Sequence, residues 1–205
     1  MGEDWGIMKT FTLGALLFAF PAFATTVVAL DLPALSRSSD AIVQGRVAKV
    51  EAKMSKDGGR ITTHVTVDVT DTLKGEPTNT TIEIVQPGGV VGDIGQKVAG
   101  TTRFQVGDEV VTFLERRGGK RFMLTGMAQG CFRVERSSDG QAAFAVQDAQ
   151  GDLTMLDPVT RAPVHTGTGP MKLDELKAKV RALLATPVAK EPTSPTGPIQ
   201  RESMQ

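Results

Sequence analysis

The stretch "ITTHVTVDVT", residues 61–70, decides the fold. Ile61, Thr63, Val65, Val67 and Val69 fall on one face of an extended chain, and Thr62, His64, Thr66, Asp68 and Thr70 on the other. That alternation, rich in β-branched residues, predicts a strand buried on one side. Just upstream, "AIVQGRVAKVEA" at 41–52 is also strand-like, and "KDGGR" at 56–60 supplies the turn of a hairpin. Gly45 inside the first of these strands predicts a bulge or a sharp bend.

Downstream the same pattern repeats. "TTIEIVQ" at 80–86 predicts a third strand after the turn "KGEPTN", and "DEVVTFLERR" at 108–117 a fourth. Gly118-Gly119 is a hairpin signal leading into "KRFMLTGMAQGCFRVER" at 120–136, which reads as one long strand. "QAAFAVQD" at 141–148 follows the turn "SSDG". About six strands at short spacing predict an antiparallel barrel or sandwich. Gly126 and Gly130 inside the long strand favour a barrel, whose corners need glycine kinks.

Two helical pieces flank the sheet. "DLPALSRSSD" at 31–40 predicts a turn or two of helix. "LDELKAKVRALL" at 173–184 predicts an amphipathic helix, with Leu173, Leu176, Val180, Leu183 and Leu184 on one stripe that docks on the barrel. Asp174 and Glu175 stand in its first turn, where the helix dipole favours acids.

The first residues have a different character. Lys9 precedes the uncharged run "TFTLGALLFAFPAFA", which breaks at Pro21 and ends Ala22-Phe23-Ala24. A basic start, an apolar stretch and an A-x-A exit predict a secretory signal peptide cleaved after Ala24. Met8 is the better initiator, because Glu3 and Asp4 do not suit the start of an export signal. An uncleaved anchor is the competing reading, since Phe11–Leu30 is long enough to span a bilayer, but Pro21 and three threonines weigh against it. The chain then divides into a signal peptide (1–24), a lead-in (25–39), a β-barrel domain (40–160), the C-terminal helix (170–186) and a Pro-, Ser- and Thr-rich disordered tail (187–205).

Composition excludes several functions. The whole chain carries 23 basic and 23 acidic residues, so no basic face is implied and nucleic acid is not expected as a partner. Trp5 and four of the nine Phe lie in the signal, and there is no Tyr, so few rings remain for stacking on sugars or bases. Cys131 is the only cysteine, which excludes an internal disulfide and leaves stability to the core.

Chemistry is sparse as well. "VQPGGVVGDIGQKVAG" at 85–100 holds five glycines in sixteen positions. Its Gly89-x-x-Gly92-x-x-Gly95 spacing matches neither a dinucleotide fingerprint nor a P-loop. The continuation "QKVAGTTRFQVGDEV" looks strand-like, so no helix N-terminus follows to hold a phosphate. The stretch therefore reads as a mobile rim loop that meets a partner through Gly89, Val90, Val91, Asp93, Ile94, Gln96 and Lys97, or as a plain connection with glycines at positive φ. Histidine is limited to His64, on the polar face of a strand, and His165 in a loop. With no H-x-x-x-H or C-x-x-C spacing, neither a metal nor another cofactor is expected. Cys131 lacks a neighbouring base and reads as a small apolar filler, and no G-x-S-x-G elbow is present.

The run from "SSDAIVQGRVAKVEA" through "HVTVDVTDTLKGE" to "FQVGDEVVTFLERRGGKRFML" resembles the netrin-like module of tissue inhibitors of metalloproteinases. The likeness covers about 40–135 and rests on the G-x-V strand, the long hairpin partner ending "LKG" and the later "GDEVV" strand. It implies a five-stranded barrel of the oligonucleotide/oligosaccharide-binding type. The chain also looks like a group of exported bacterial proteins that carry a "VQPGG…G" segment. Those inhibitors hold a protease zinc through an N-terminal cysteine, and the chain after Ala24 starts without one, so no site residue carries over.

The expected fold is therefore mainly β: a small antiparallel OB-like β-barrel with a C-terminal amphipathic helix. The expected function is that of an exported (periplasmic or extracellular), non-enzymatic domain binding a protein or peptide partner through rim loops, without membrane insertion once the signal is removed. An envelope-associated hydrolase whose site forms only in the fold is the alternative, and a structural envelope component a third.

Overall fold

Strand alternation in this chain serves two cores at once. The computed structural model describes residues 25–75, 81–119, 121–148, 153–164 and 168–186. The expected export signal at 1–24, the expected tail at 187–205, His165 and most of the turn at 74–79 lie outside the described residues.

The elements run β1 (Thr25–Val28), α1 (Leu32–Ser38), β2 (Ala41–Met54), β3 (Ile61–Lys74) and β4 (Thr81–Pro87). Two short strands follow, β5 (Gly89–Val91) and β6 (Ile94–Gln96), then β7 (Glu109–Arg116), β8 (Arg121–Leu124) and a 3-10 turn at Met127–Gly130. The chain ends in β9 (Cys131–Arg136), β10 (Ala143–Gln147), β11 (Leu153–Leu156), β12 (Pro163–Val164), β13 (Met171–Lys172) and α2 (Leu173–Ala185).

Five strands close a barrel. β2 pairs with β3 and β3 with β4, all antiparallel. β4 then meets β8 in parallel, β8 pairs with β7, and β7 returns to β2. The fold is mainly β, a closed small barrel with a C-terminal helix. β9, β10 and β13 extend the sheet from the β7 edge, and β1, β11 and β12 form a separate three-stranded sheet.

Gly45 sits at a register shift between β2 and β3, where a Cβ would lie 2.5 Å from the Asp68 carbonyl oxygen. The bulge expected there is present, and glycine allows the two backbones to approach.

The long strand expected at 120–136 is interrupted. Leu124 pairs with Leu114 and Cys131 with Thr112. Seven positions pass on this segment while two pass on β7, so five residues loop out as the 3-10 turn. Gly126 and Met127 open that turn at φ 63° and 61°. Gly130 closes it, and a Cβ there would lie 2.4 Å from the Thr125 carbonyl oxygen. The glycines turn the chain, but by a looped-out turn rather than by kinks in a continuous strand. As a result β8 closes the barrel while β9 leaves it.

The apolar run in β7 follows from having a core on each side. Val110 and Leu114 point into the barrel with Val43, Val47, Val65, Val67, Ile82, Ile84 and Phe122. Val111 and Phe113 point outward and pack with Ile42, Phe132, Leu35, Leu176 and Val180. The Phe113 and Phe132 rings stand 5.6 Å apart, within the range of a favourable tilted pair. The helices α1 and α2 thus cover one side of the sheet. Asp31 caps α1 by accepting a 2.7 Å bond from the Ala34 amide. On α2, Lys177 lies 2.6 Å and Arg181 3.1 Å from Asp71 of β3, tying the helix to the barrel.

Candidate functional site

Among the described residues no helix covers the opposite end of the barrel. There the chain between β4 and β7, residues 88–108, folds back across the β2–β3 hairpin. Its first part is a hairpin, not the irregular loop expected from the sequence: Val91 pairs with Ile94, Val90 with Gly95 and Gly89 with Gln96. The two-residue connection is Gly92-Asp93, with φ 58° at Gly92 and Asp93 outside the left-handed region. That is the φ pattern of a type II′ turn, the hairpin turn with glycine first. "VVGDIG" therefore carried a readable hairpin signal that the glycine count obscured.

Hydrogen bonds hold the base of this hairpin in place. The Gly88 amide donates to the Ile61 carbonyl at 2.8 Å, and the Thr63 hydroxyl donates to the Gly88 carbonyl at 2.8 Å. The Ile61 amide donates to Gln96 Oε1 at 2.8 Å. At Gly89, φ is 138° and a Cβ would lie 2.7 Å from the Thr63 hydroxyl, so glycine lets the hairpin seat on β3.

Residues 97–108 do not continue as a strand, which corrects the strand-like reading of that segment. They run back along the hairpin as an irregular wall. Gln86 Nε2 bridges to this wall by donating to the Thr102 carbonyl at 2.6 Å. Behind it, Arg133 of β9 donates to the Arg103 carbonyl and to the Asp108 carboxylate, with Asp148 3.6 Å away. Burial works against the Arg133 charge, but those carboxylates outweigh it and hold its pKa above the ordinary value.

Between hairpin and wall lies an open cleft of about 940 Å³. Its volume is at the upper end of what small-ligand sites occupy, roughly 300–1,000 Å³. Gly89, Val90, Gln96 and Lys97 of the expected rim residues line it. Val91 and Ile94 point to the other face of the hairpin, and Asp93 stands at its tip, so those three do not line the cleft. Sequence reasoning missed the far wall, including Val98, Thr102, Arg103 and Phe104, and also Val50 and Thr63 on the floor. Val90 and Ile94 are 68% and 58% exposed, and Val106, in the turn that ends the wall, is 67% exposed.

The polar chemistry elsewhere is of a different kind. On the outer face of the barrel His64 Nδ1 lies 2.8 Å from Glu83 Oε1, and His64 Nε2 lies 3.1 Å from the Thr62 hydroxyl. A hydroxyl, an imidazole and a carboxylate in line is the order used by nucleophilic hydrolases. However, β3 is laddered on both edges at these positions, to β2 and to β4. Its amides are engaged in the sheet and offer no oxyanion hole. The group also lies outside the cleft. It is a cross-strand polar chain that satisfies three side chains of adjacent strands.

Cys131 is fully buried in the barrel core, and burial, then the Asp148 charge, pushes its thiol pKa far up. A thiol held protonated in this way is no nucleophile. Among the described residues no three His, Cys, Asp or Glu side chains cluster to hold a metal ion. No helix among them is long and apolar enough to cross a membrane. Comparison with protein-family models and with curated proteins finds no match to this chain.

Proposed function

We propose that this is an exported, non-enzymatic β-barrel domain that binds a protein or peptide partner through the cleft and hairpin at its uncovered end. The observation that carries this reading is the position of Val90, largely exposed on a hairpin that is itself pinned by hydrogen bonds and lining a cleft of about 940 Å³. Large apolar side chains left in water on a fixed scaffold are what interfaces use as anchors. The fixed base also lowers the ordering cost of binding, because the loop is organised beforehand.

The strand circuit supports the netrin-like reading. β2, β3, β4, β8 and β7 follow one another around the barrel, and the third strand meets the fifth in parallel. That order is the one expected of an oligonucleotide/oligosaccharide-binding-type barrel, with 88–108 as the connection between its third and fourth strands. Export rests on the A-x-A exit at Ala22–Ala24, and sequencing the protein from culture or envelope fractions should start at Thr25.

Affinity capture tests the binding reading. The parent protein and a Val90→Ser, Val91→Ser, Ile94→Ser variant are used as baits against envelope and culture fractions. A partner retained by the parent and lost by the variant supports the proposal. Equal capture by both would remove the hairpin from the interface.

A further inference from the structure

One edge of β2 is left half used. Its ladder with β7 ends where Arg46 meets Glu109. The Val47 amide then donates to the Asp108 carbonyl, and the Val47 carbonyl accepts from the Gly107 amide, both at 2.8 Å. On its other edge β2 goes on pairing with β3 until Met54 meets Ile61. The Ser55 amide donates to the Arg60 carbonyl, which fixes the phase of that ladder. Bonded positions alternate along an antiparallel pair, so Lys49, Glu51 and Lys53 turn their backbone groups to β3. Val50, Ala52 and Met54 turn theirs the other way, to the edge that β7 has left. Among the described residues nothing pairs with those three amides and three carbonyls.

A bare strand edge is a template for another strand, and the side chains decide which strand fits. Val50, opposite Val65 of the core, lies with Ala52 and Met54 on the cleft-facing side, all three half-buried. Lys49, Glu51 and Lys53 lie on the outer side. A second copy laid antiparallel about a two-fold axis at Glu51 would set Glu51 against Glu51 and Lys49 against Lys53. An axis at Lys53 would oppose two lysines. An axis at Val50 would place Lys53 and Met54 of the second copy against Val47 and Arg46, whose edge Asp108 and Glu109 already hold. An axis at Ala52 avoids all three faults. Lys53 then faces Glu51 of the second copy on both sides of the axis, Val50 faces Met54, and Ala52 faces its own equivalent. We infer that the free edge of β2 takes a second copy of this chain in that register, as an isologous strand-to-strand dimer. Glu51 already holds Lys49 and Lys53 of its own strand, at 2.9 and 3.3 Å, so no charge is left waiting. The pattern acts by penalising the registers that oppose like charges. Lysines on an edge strand ordinarily discourage pairing; here they discourage the neighbouring registers and spare one. This surface goes beyond the partner reading above and does not depend on it.

Sedimentation of the full chain between about 1 and 100 μM should show monomer passing into dimer as concentration rises. Glu51→Lys and Lys53→Glu each set like charges opposite one another twice about the axis. Each alone should weaken the dimer about tenfold. An equimolar mixture of the two should dimerise as the parent does, because the lysines of one copy then meet the glutamates of the other. Ala52→Pro removes the outward amide at the axis, at an edge position where proline is tolerated, and should abolish the dimer. The charge variants change side chains that reach solvent, so they carry the test even where the proline variant loses its fold. A parent that stays monomeric, or single charge variants that dimerise like the parent, would overturn the inference. So would a mixture no better than its components, or a folded Ala52→Pro variant that still dimerises.

Discussion

The two ends of the barrel use the same side chains to opposite effect. Under the helices, Val111, Val180 and Ile42 are fully buried between sheet and helix. At the uncovered end, Val90 and Ile94 stand in water on a two-strand hairpin. Residue type cannot account for this contrast, because β-branched aliphatics occupy both places. What differs is the second layer: α1 and α2 bring their own apolar stripes to one side, and nothing in the described chain comes to the other. The covered side is where stability resides, and the uncovered end is where apolar side chains stay in water, the surface that the proposed partner would meet.

The largest effect should come from breaking the covered side. Leu176 is wholly buried on α2, and Leu176→Asp places a charge among Ile42, Val111 and Phe113. The expected cost is about 2–4 kcal/mol, measured as a fall in the denaturant midpoint. If the midpoint holds, the helix is not bound to the sheet and the contrast between the two ends disappears.

Next in size is the looped-out turn that lets β8 and β9 part. Gly130→Ala drives a methyl to 2.4 Å from the Thr125 carbonyl and 3.0 Å from the Phe113 carbonyl. Both obstacles are backbone atoms that cannot rotate away. Overpacking of this kind costs roughly 1–3 kcal/mol. Gly92→Ala makes the useful counterpart, because its φ of 58° strains any side chain but nothing lies within 4 Å. Chemical denaturation of the two variants side by side should therefore show the larger loss at Gly130.

How much of this was legible in the sequence depends on length and on distance along the chain. β3 spans fourteen residues, long enough for period-two alternation to show, and α2 displays five apolar residues on one stripe. β5 and β6 have three residues each, too few to establish a period, and only the Gly92-Asp93 turn marks them. The five looped-out residues within 120–136 begin with Gly126 and include Met127 at positive φ, a conformation no local pattern announces for methionine. The far wall of the cleft is harder still. Gln86 of β4 holds the Thr102 carbonyl and Arg133 of β9 the Arg103 carbonyl, 16 and 30 positions apart in the sequence. Ties at that separation leave no local pattern. Lys97, on the hairpin side, is legible within the glycine-rich stretch; Arg103, on the far wall, is not.

A smaller effect concerns the polar tie between α2 and the barrel. The Lys177 hydrogen bond lowers the Asp71 pKa from its ordinary 3.8, against the opposing effect of burial. A carboxylate whose folded pKa is depressed contributes its stability in full above the unfolded value. That contribution is lost as pH falls below about 4 and through the folded pKa. Asp71→Asn should therefore cost up to about 1 kcal/mol at pH 7 and flatten the stability profile below pH 4. A profile with the same acid slope in both proteins would show that the ion pair adds nothing to the docking of α2.

The smallest change should come from the uncovered end, and there a small change is the informative outcome. Val90→Ser and Ile94→Ser each replace a side chain that is more than half exposed. Surface substitutions usually stay within about 0.5 kcal/mol, so each unfolding midpoint should move little. Val91 is half-buried on the opposite hairpin face from Val90, so its substitution by Ser should cost more than either. The order matters because a different arrangement predicts the reverse. If Val90 and Ile94 plugged the end of the barrel, each would lose roughly 1.5–3 kcal/mol of burial, and the variants would unfold at lower denaturant than Val91→Ser. The hairpin would then be a lid on the core, its glycines would serve packing alone, and the apolar anchor assigned to the cleft would not exist. A pair of near-silent substitutions instead leaves those side chains with no role in folding, which is the condition a partner-contacting surface must meet.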